Sequence, residues 1–172
     1  HTGTHMDPPA HLFAGRTTLD RFPVEQFIGR ALVIHCPELR EGERIPFSAV
    51  ERVRPLADRA EFLLFHTGWG RYWGTERYFG DYPCIDSDIV DYLLQSGKKG
   101  VGLDTIGVDP IADALLSIHR RLFQDHEIVV MENLANLDQI GDGLFTLFAL
   151  PLRYQDADGS PIRAVAVLDG EE

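Results

Sequence analysis

The opening string His1-Thr2-Gly3-Thr4-His5-Met6-Asp7-Pro8-Pro9-Ala10-His11 constrains this chain more than any other stretch. Pro8 and Pro9 forbid a helix across it, because proline has no amide hydrogen to donate and its ring clashes with the preceding turn. The segment is therefore read as extended, and on an extended backbone residues two apart project to the same side. His5 and Asp7 then face one point, and Gly3 permits a backbone turn that brings His1 round to it. Neutral imidazole nitrogens with a hard carboxylate oxygen suit borderline divalent ions such as zinc, manganese or iron(II). The proline pair holds His11 at a fixed offset, better placed to carry a proton than to act as another ligand.

Two later residues are natural donors to complete such a site. His119 sits among apolar residues Leu115 and Leu122 on an expected helix, with Arg120 and Arg121 directly after it. Glu132 follows the apolar run Ile128-Val129-Val130-Met131, where a charge is costly unless paired or metal-bound. A different kind of surface is expected between Trp69 and Pro83. Trp69, Tyr72 and Trp73, with Phe13, suit a wall for a planar substrate.

The rest of the chain reads as alternating strand and helix signals. Ala31 to Ile34, Glu61 to His66, Gly100 to Leu103 and Glu127 to Met131 are expected strands. Ser48 with Glu51 suggests a capping box. A helix is expected from Asp86 or Ser87, with Ile89, Val90, Leu93 and Leu94 on one face and Gly97 at its end. A second is expected from about Ile111 to Phe123, its stripe formed by Ile111, Leu115, Ile118 and Leu122. Phe145 to Leu150 and Ile162 to Leu168 are expected to pair antiparallel through the turn Asp156 to Gly159. The mixed signs from Glu38 to Arg44 read as a solvated loop. Without strict strand–helix alternation, the expectation is a single α/β domain over 1–172, built on a mixed β-sheet.

The opening string closely resembles the signature His-x-Gly-Thr-His-x-Asp-x-Pro-x-His of the cyclase-like metal-dependent hydrolases, the family of bacterial kynurenine formamidase and isatin hydrolase. Further pieces resemble it in the same order: His66-Thr67-Gly68-Trp69, Gly107-Val108-Asp109, His119-Arg120-Arg121-Leu122 and Glu132-Asn133-Leu134-Ala135-Asn136-Leu137. The resemblance implies a swivelling β/α barrel-like fold assembled as a homodimer or homotetramer. It implies that His1, His5, Asp7, His119 and Glu132 hold one or two divalent ions, zinc or manganese, with Asp7 as the bridge. It also implies that His11 is the catalytic histidine.

The expected chemistry is hydrolysis of an amide bond in a small N-formyl aryl amide or cyclic amide. A divalent ion brings the pKa of water from about 15.7 towards roughly 7, and His11 serves as base and then acid. Two alternatives use the same residues: a metal-dependent cyclase or dehydratase, and a catalytically silent metal-binding interaction module. No Gly-x-Ser-x-Gly elbow is present to anchor an acyl-serine route.

Composition narrows the partners. The 172 residues carry 27 acids against 16 bases, a formal charge of −11. Such a field disfavours nucleic acid and anionic membranes; a small-molecule substrate is what the family resemblance implies. No apolar run reaches the roughly 18 residues of a membrane helix. Cys36 and Cys84 show no paired spacing, which fits a reducing cytoplasm and no disulfide scaffold. The sequence opens on His1 rather than Met, so an upstream segment is expected, and with it any signal peptide lies outside this numbering.

Overall fold

The apolar runs become the centre of an eight-stranded sheet in the computed structural model, which describes residues 1–168. In chain order the strands are β1 (His5–Asp7), β2 (Ile28–His35), β3 (Arg44–Ile45), β4 (Phe62–His66), β5 (Cys84–Ile85), β6 (Gly100–Leu103), β7 (Val129–Glu132), β8 (Phe145–Phe148), β9 (Ser160–Pro161) and β10 (Val165–Leu168). The helices are α1 (Ser48–Glu51), α2 (Arg54–Arg59), α3 (Ser87–Gln95) and α4 (Ser117–Phe123). The final residues of the expected domain, 169–172, lie outside the described ones.

The large sheet runs β10-β8-β2-β4-β6-β7-β1-β9. Strands β2, β4, β6 and β7 are parallel, and β8, β10, β1 and β9 add antiparallel pairs at the two sides. The parallel strands read as unbroken apolar runs because both their faces are covered. Leu32, Ile34, Leu63, Phe65, Val101 and Leu103 pack with residues of α1, α3 and α4 on one face. Ala31, Val33, Phe62 and Leu64 turn to the other face, against Met6, Met131, Phe145 and Leu147. Each fully buried Leu or Phe contributes about 1.5–3 kcal/mol relative to exposure.

The sheet is curled into a half-barrel. β9 and β10 occupy its opposite edges, yet only three residues separate Pro161 from Val165. Four Cα steps span at most about 14 Å, so the edges must approach each other that closely. Strand β10 pairs antiparallel with β8, as the terminal strand signals predicted. The turn at 156–159, however, feeds first into β9 on the far edge.

Two local expectations are corrected. The stripe over 111–123 is helical only from Ser117, and Ile111 and Leu115 are exposed, at 51% and 71%. Leu116 adopts a left-handed φ of 53°, and the Asp113 carboxylate takes the amides of Leu115 and Ser117 at 2.9 and 3.0 Å. Amides engaged by a local side chain compete with the helical ladder, so the earlier turn never forms. At α1 the cap is Phe47 rather than Ser48, and no side chain caps that end, so the capping box is absent.

Candidate metal centre

The register of β1 against β7 builds the site. His5 lies directly opposite Glu132, and opposed residues of an antiparallel pair project to one face. Asp7 is two residues further along β1 and shares that face. The result is a buried trio, with His5 Nε2 at 3.5 Å from Asp7 Oδ2 and 3.4 Å from Glu132 Oε2. Gly3, at φ 64°, turns the preceding backbone and brings His1 Nδ1 to 2.8 Å from Asp7 Oδ1. Helix α4 supplies His119, whose Nε2 lies 3.2 Å from Glu132 Oε1 and 3.9 Å from Asp7 Oδ2. Pro8 and Pro9 lead into a single 3-10 turn, Pro9–His11, and the His11 ring comes to rest 4.1 Å from that of His1 and 5.8 Å from that of His119, centroid to centroid.

All six residues named from the sequence as metal-binding or catalytic therefore meet in one cavity of about 270 Å³. Their donor atoms form two overlapping groups, His1–Asp7–His11 and His5–Asp7–Glu132, that share Asp7. One Asp7 oxygen faces His1 while the other faces His5 and His119.

The fit to a cation rests on atoms that lack ordinary partners. His5 Nε2, Asp7 Oδ1, His119 Nε2 and Glu132 Oε1 are buried and make no aligned hydrogen bond. They approach one another closely but out of line. Leaving such a group unsatisfied costs about 1–3 kcal/mol, and four together would be a heavy burden without an ion between them. Donors 2.0–2.2 Å from a tetrahedral zinc lie about 3.4 Å apart, matching the separations above.

Flanking groups fix which ring nitrogens face inward. His5 Nδ1 sits 2.8 Å from the Gly3 carbonyl oxygen and donates to it, leaving Nε2 as the lone-pair atom. His119 Nδ1 is 2.5 Å from Asp109 Oδ2 in the same sense. This carboxylate–histidine arrangement orients a ligand and raises its basicity.

The charge balance also favours a cation. Burial opposes ionisation of Asp7, but His1 and His5 outweigh it and hold its carboxyl below the usual range. For His119 burial again opposes the charge, yet the carboxylates of Asp109 and Glu132 lift its pKa to about 10. Burial pushes Glu132 upward. His11 differs: burial moves its pKa below the ordinary value, so it stays neutral and able to accept a proton.

The aromatic residues named from the sequence stand elsewhere. Phe13 is half-buried against the core, with the Arg120 guanidinium 5.7 Å from its ring centre. Trp69 is 2% exposed and donates from Nε1 to the Tyr78 carbonyl at 3.0 Å, and Tyr72 packs on its edge. Neither Phe13, Trp69 nor Tyr72 lines the metal cavity, whose wall is Tyr82, Ile106, Ile111 and Leu116. Trp73 lines a separate cavity of about 570 Å³ with His66, Arg71 and Asn136. The sequence assigns Asp109 no role of its own; its signal is the piece Gly107-Val108-Asp109, which it closes.

Comparison with known proteins agrees with this geometry. A family model described as putative cyclase matches residues 1–110. Kynurenine formamidase of Bacillus cereus is 36% identical over 171 residues, covering 96% of this chain and 75% of that protein. The kynurenine formamidase of Bacillus thuringiensis is 37% identical over 172 residues, with the same coverage. The crystal structure of an isatin hydrolase bound to the product analogue thioisatinate matches with a TM-score of 0.84 and 25% identity, covering 98% of this chain and 72% of that one. The chain spans about three quarters of the length of these relatives. A model match over well more than half the residues, and relatives aligned along nearly all of them, place one conclusion beyond the geometry: this chain belongs to the putative cyclase family.

Proposed function

We propose that this chain is a metal-dependent hydrolase of carbon–nitrogen bonds other than peptide bonds, acting on a small N-formyl aryl amide or a cyclic amide. The observation that carries the reading is the convergence of four buried donor atoms without hydrogen bonds beside a neutral histidine. The curated relatives are named kynurenine formamidase, and a structural neighbour is an isatin hydrolase.

His1, His5, Asp7, His119 and Glu132 would hold the ion, zinc or manganese, with room for one or two because Asp7 serves both groups of donors. When bound, a divalent ion makes water acidic enough to attack at neutral pH and polarises the amide carbonyl. His11 takes the proton of the attacking water on its free ring nitrogen and returns it to the departing amine. Ile106, Ile111 and Leu116 supply the apolar part of the cavity wall against which a small substrate can pack. Trp69 and Tyr72 act from behind by bracing Tyr82, with which they cluster; Phe13 packs against the core on the helix-bearing face of the sheet. A homodimer or homotetramer in a reducing cytoplasm completes the reading.

The test is an assay of protein loaded with zinc or manganese on N-formylkynurenine and an isatin-like lactam in ¹⁸O-labelled water. Hydrolysis puts one solvent oxygen in the product. A product formed without solvent oxygen would move the reading to a cyclase or dehydratase, and no turnover on any amide would remove it.

A further inference from the structure

One polar group on the wall of the metal cavity takes no part in holding an ion. Tyr82 lines that cavity beside His5, His11 and Glu132 and is 5% exposed overall. Its hydroxyl makes no hydrogen bond within the described residues. The hydroxyl oxygen is not one of the fully buried unpartnered atoms, so it is open to the cavity, where a bound molecule can meet it.

The surrounding structure sets the hydroxyl in the same cavity as the donor atoms. A Cβ on Gly107 would stand 2.8 Å from the Tyr82 hydroxyl oxygen and 3.6 Å from Glu132 Oε1. The missing side chain at 107 thus lets the phenol and the Glu132 carboxylate flank one backbone position. The ring itself is clamped among Trp69, Tyr78 and Cys84, and the Tyr82 amide donates to the Gly80 carbonyl at 3.0 Å. Burial raises the phenol pKa far above its ordinary value, so the group remains a donor at neutral pH.

We propose that Tyr82 is a further catalytic residue, whose hydroxyl donates a hydrogen bond to the amide carbonyl oxygen as that oxygen gains negative charge. The role rests on the hydrolytic reading above. A fixed donor that meets charge only as it develops favours the transition state over the bound amide. Tyr82 neither forms nor breaks a covalent bond, and its proton stays on the phenol throughout.

The experiment compares metal-loaded wild type with Tyr82→Phe, which removes one oxygen and no hydrogen bond of the folded protein. Each is assayed on an aryl formamide and titrated calorimetrically with phenylphosphinate, a tetrahedral oxyanion, and with benzamide, a planar amide. The expected result is a fall in kcat of about tenfold or more with KM changed by less than about threefold. Phenylphosphinate should bind about tenfold more weakly and benzamide equally well, with metal content and Tm unchanged. Gly107→Ala, which crowds the phenol, should reproduce the loss. Equal kcat and equal phosphinate affinity in Tyr82→Phe would overturn the assignment. If wild type cleaves no amide, the hydrolytic reading fails, and the phosphinate-to-benzamide ratio still decides whether Tyr82 meets an oxyanion.

Discussion

The Asp109 carboxylate meets His119 twice, through Oδ2 at 2.5 Å from the ring Nδ1 and 3.2 Å from the backbone amide. Its other oxygen accepts the amide of Ile118 at 2.5 Å. One side chain therefore starts helix α4 and sets the direction of a metal-facing imidazole.

Asp109→Asn, which keeps the shape and loses the charge, should weaken zinc affinity about 10- to 100-fold. Competition with a chromogenic chelator measures it. Asp109→Ala should also lower stability by about 1–3 kcal/mol, because two helix-start amides lose their acceptor. An Asn variant binding as tightly as wild type would leave Asp109 a purely structural role.

Asp7 and His11 should separate binding from turnover. Asp7→Asn removes the carboxylate shared by both donor groups, and elemental analysis should find the ion largely gone. His11→Ala should keep the ion while turnover drops about 10²-fold or more. Loss of the ion from His11→Ala would make that histidine a ligand instead.

Metal loading should release protons. Although burial opposes it, the carboxylates of Asp109 and Glu132 raise the metal-free His119 pKa from 6.5 to about 10, so the ring is protonated at pH 7. A ligating imidazole must be neutral, so the cation displaces that proton and affinity climbs as pH rises towards about 10. The same raised pKa gives the metal-free fold a stabilising term that is complete below pH 6.5 and lost as pH passes through about 10. Calorimetry at pH 7 in buffers of different ionisation enthalpy should reveal the release; identical heats would contradict it.

The two thiols should be inert in the native state. Burial pushes the Cys36 thiol up to about 11 and that of Cys84 up to about 12, and both side chains are buried and unpaired. Attack requires the thiolate, which is scarce at pH 8 under these conditions. Ellman's reagent should report essentially no free thiol until denaturant is added, then two per chain. Rapid native labelling of either would show an opening absent from this structure.

Where the sequence was legible, one local rule acted alone. The His5–Asp7 alternation and the four apolar runs each follow from strand geometry, and the structure has strands at those places. The segment 111–116 misled because its apolar spacing was helical while Asp113 and Leu116 obeyed turn chemistry. Strand β9 went unseen because two residues carry no periodicity at all. The pairing of His5 with Glu132, and the approach of Asp109 and Tyr82, depend on sheet order, which no local pattern encodes.

The short strand β9 also fixes when the site can exist. His5 pairs with Pro161 and Met6 with Ser160, partners separated by about 150 residues of chain. On a ribosome, His5 and Met6 emerge well ahead of Ser160 and Pro161, so their strand lacks one neighbour until about 150 further residues have followed. Closing so long a loop is entropically slow, and it is rewarded only when the last strands arrive. The ion centre is therefore a late product of folding, and a nascent chain presents loose imidazoles rather than a finished trap for metal.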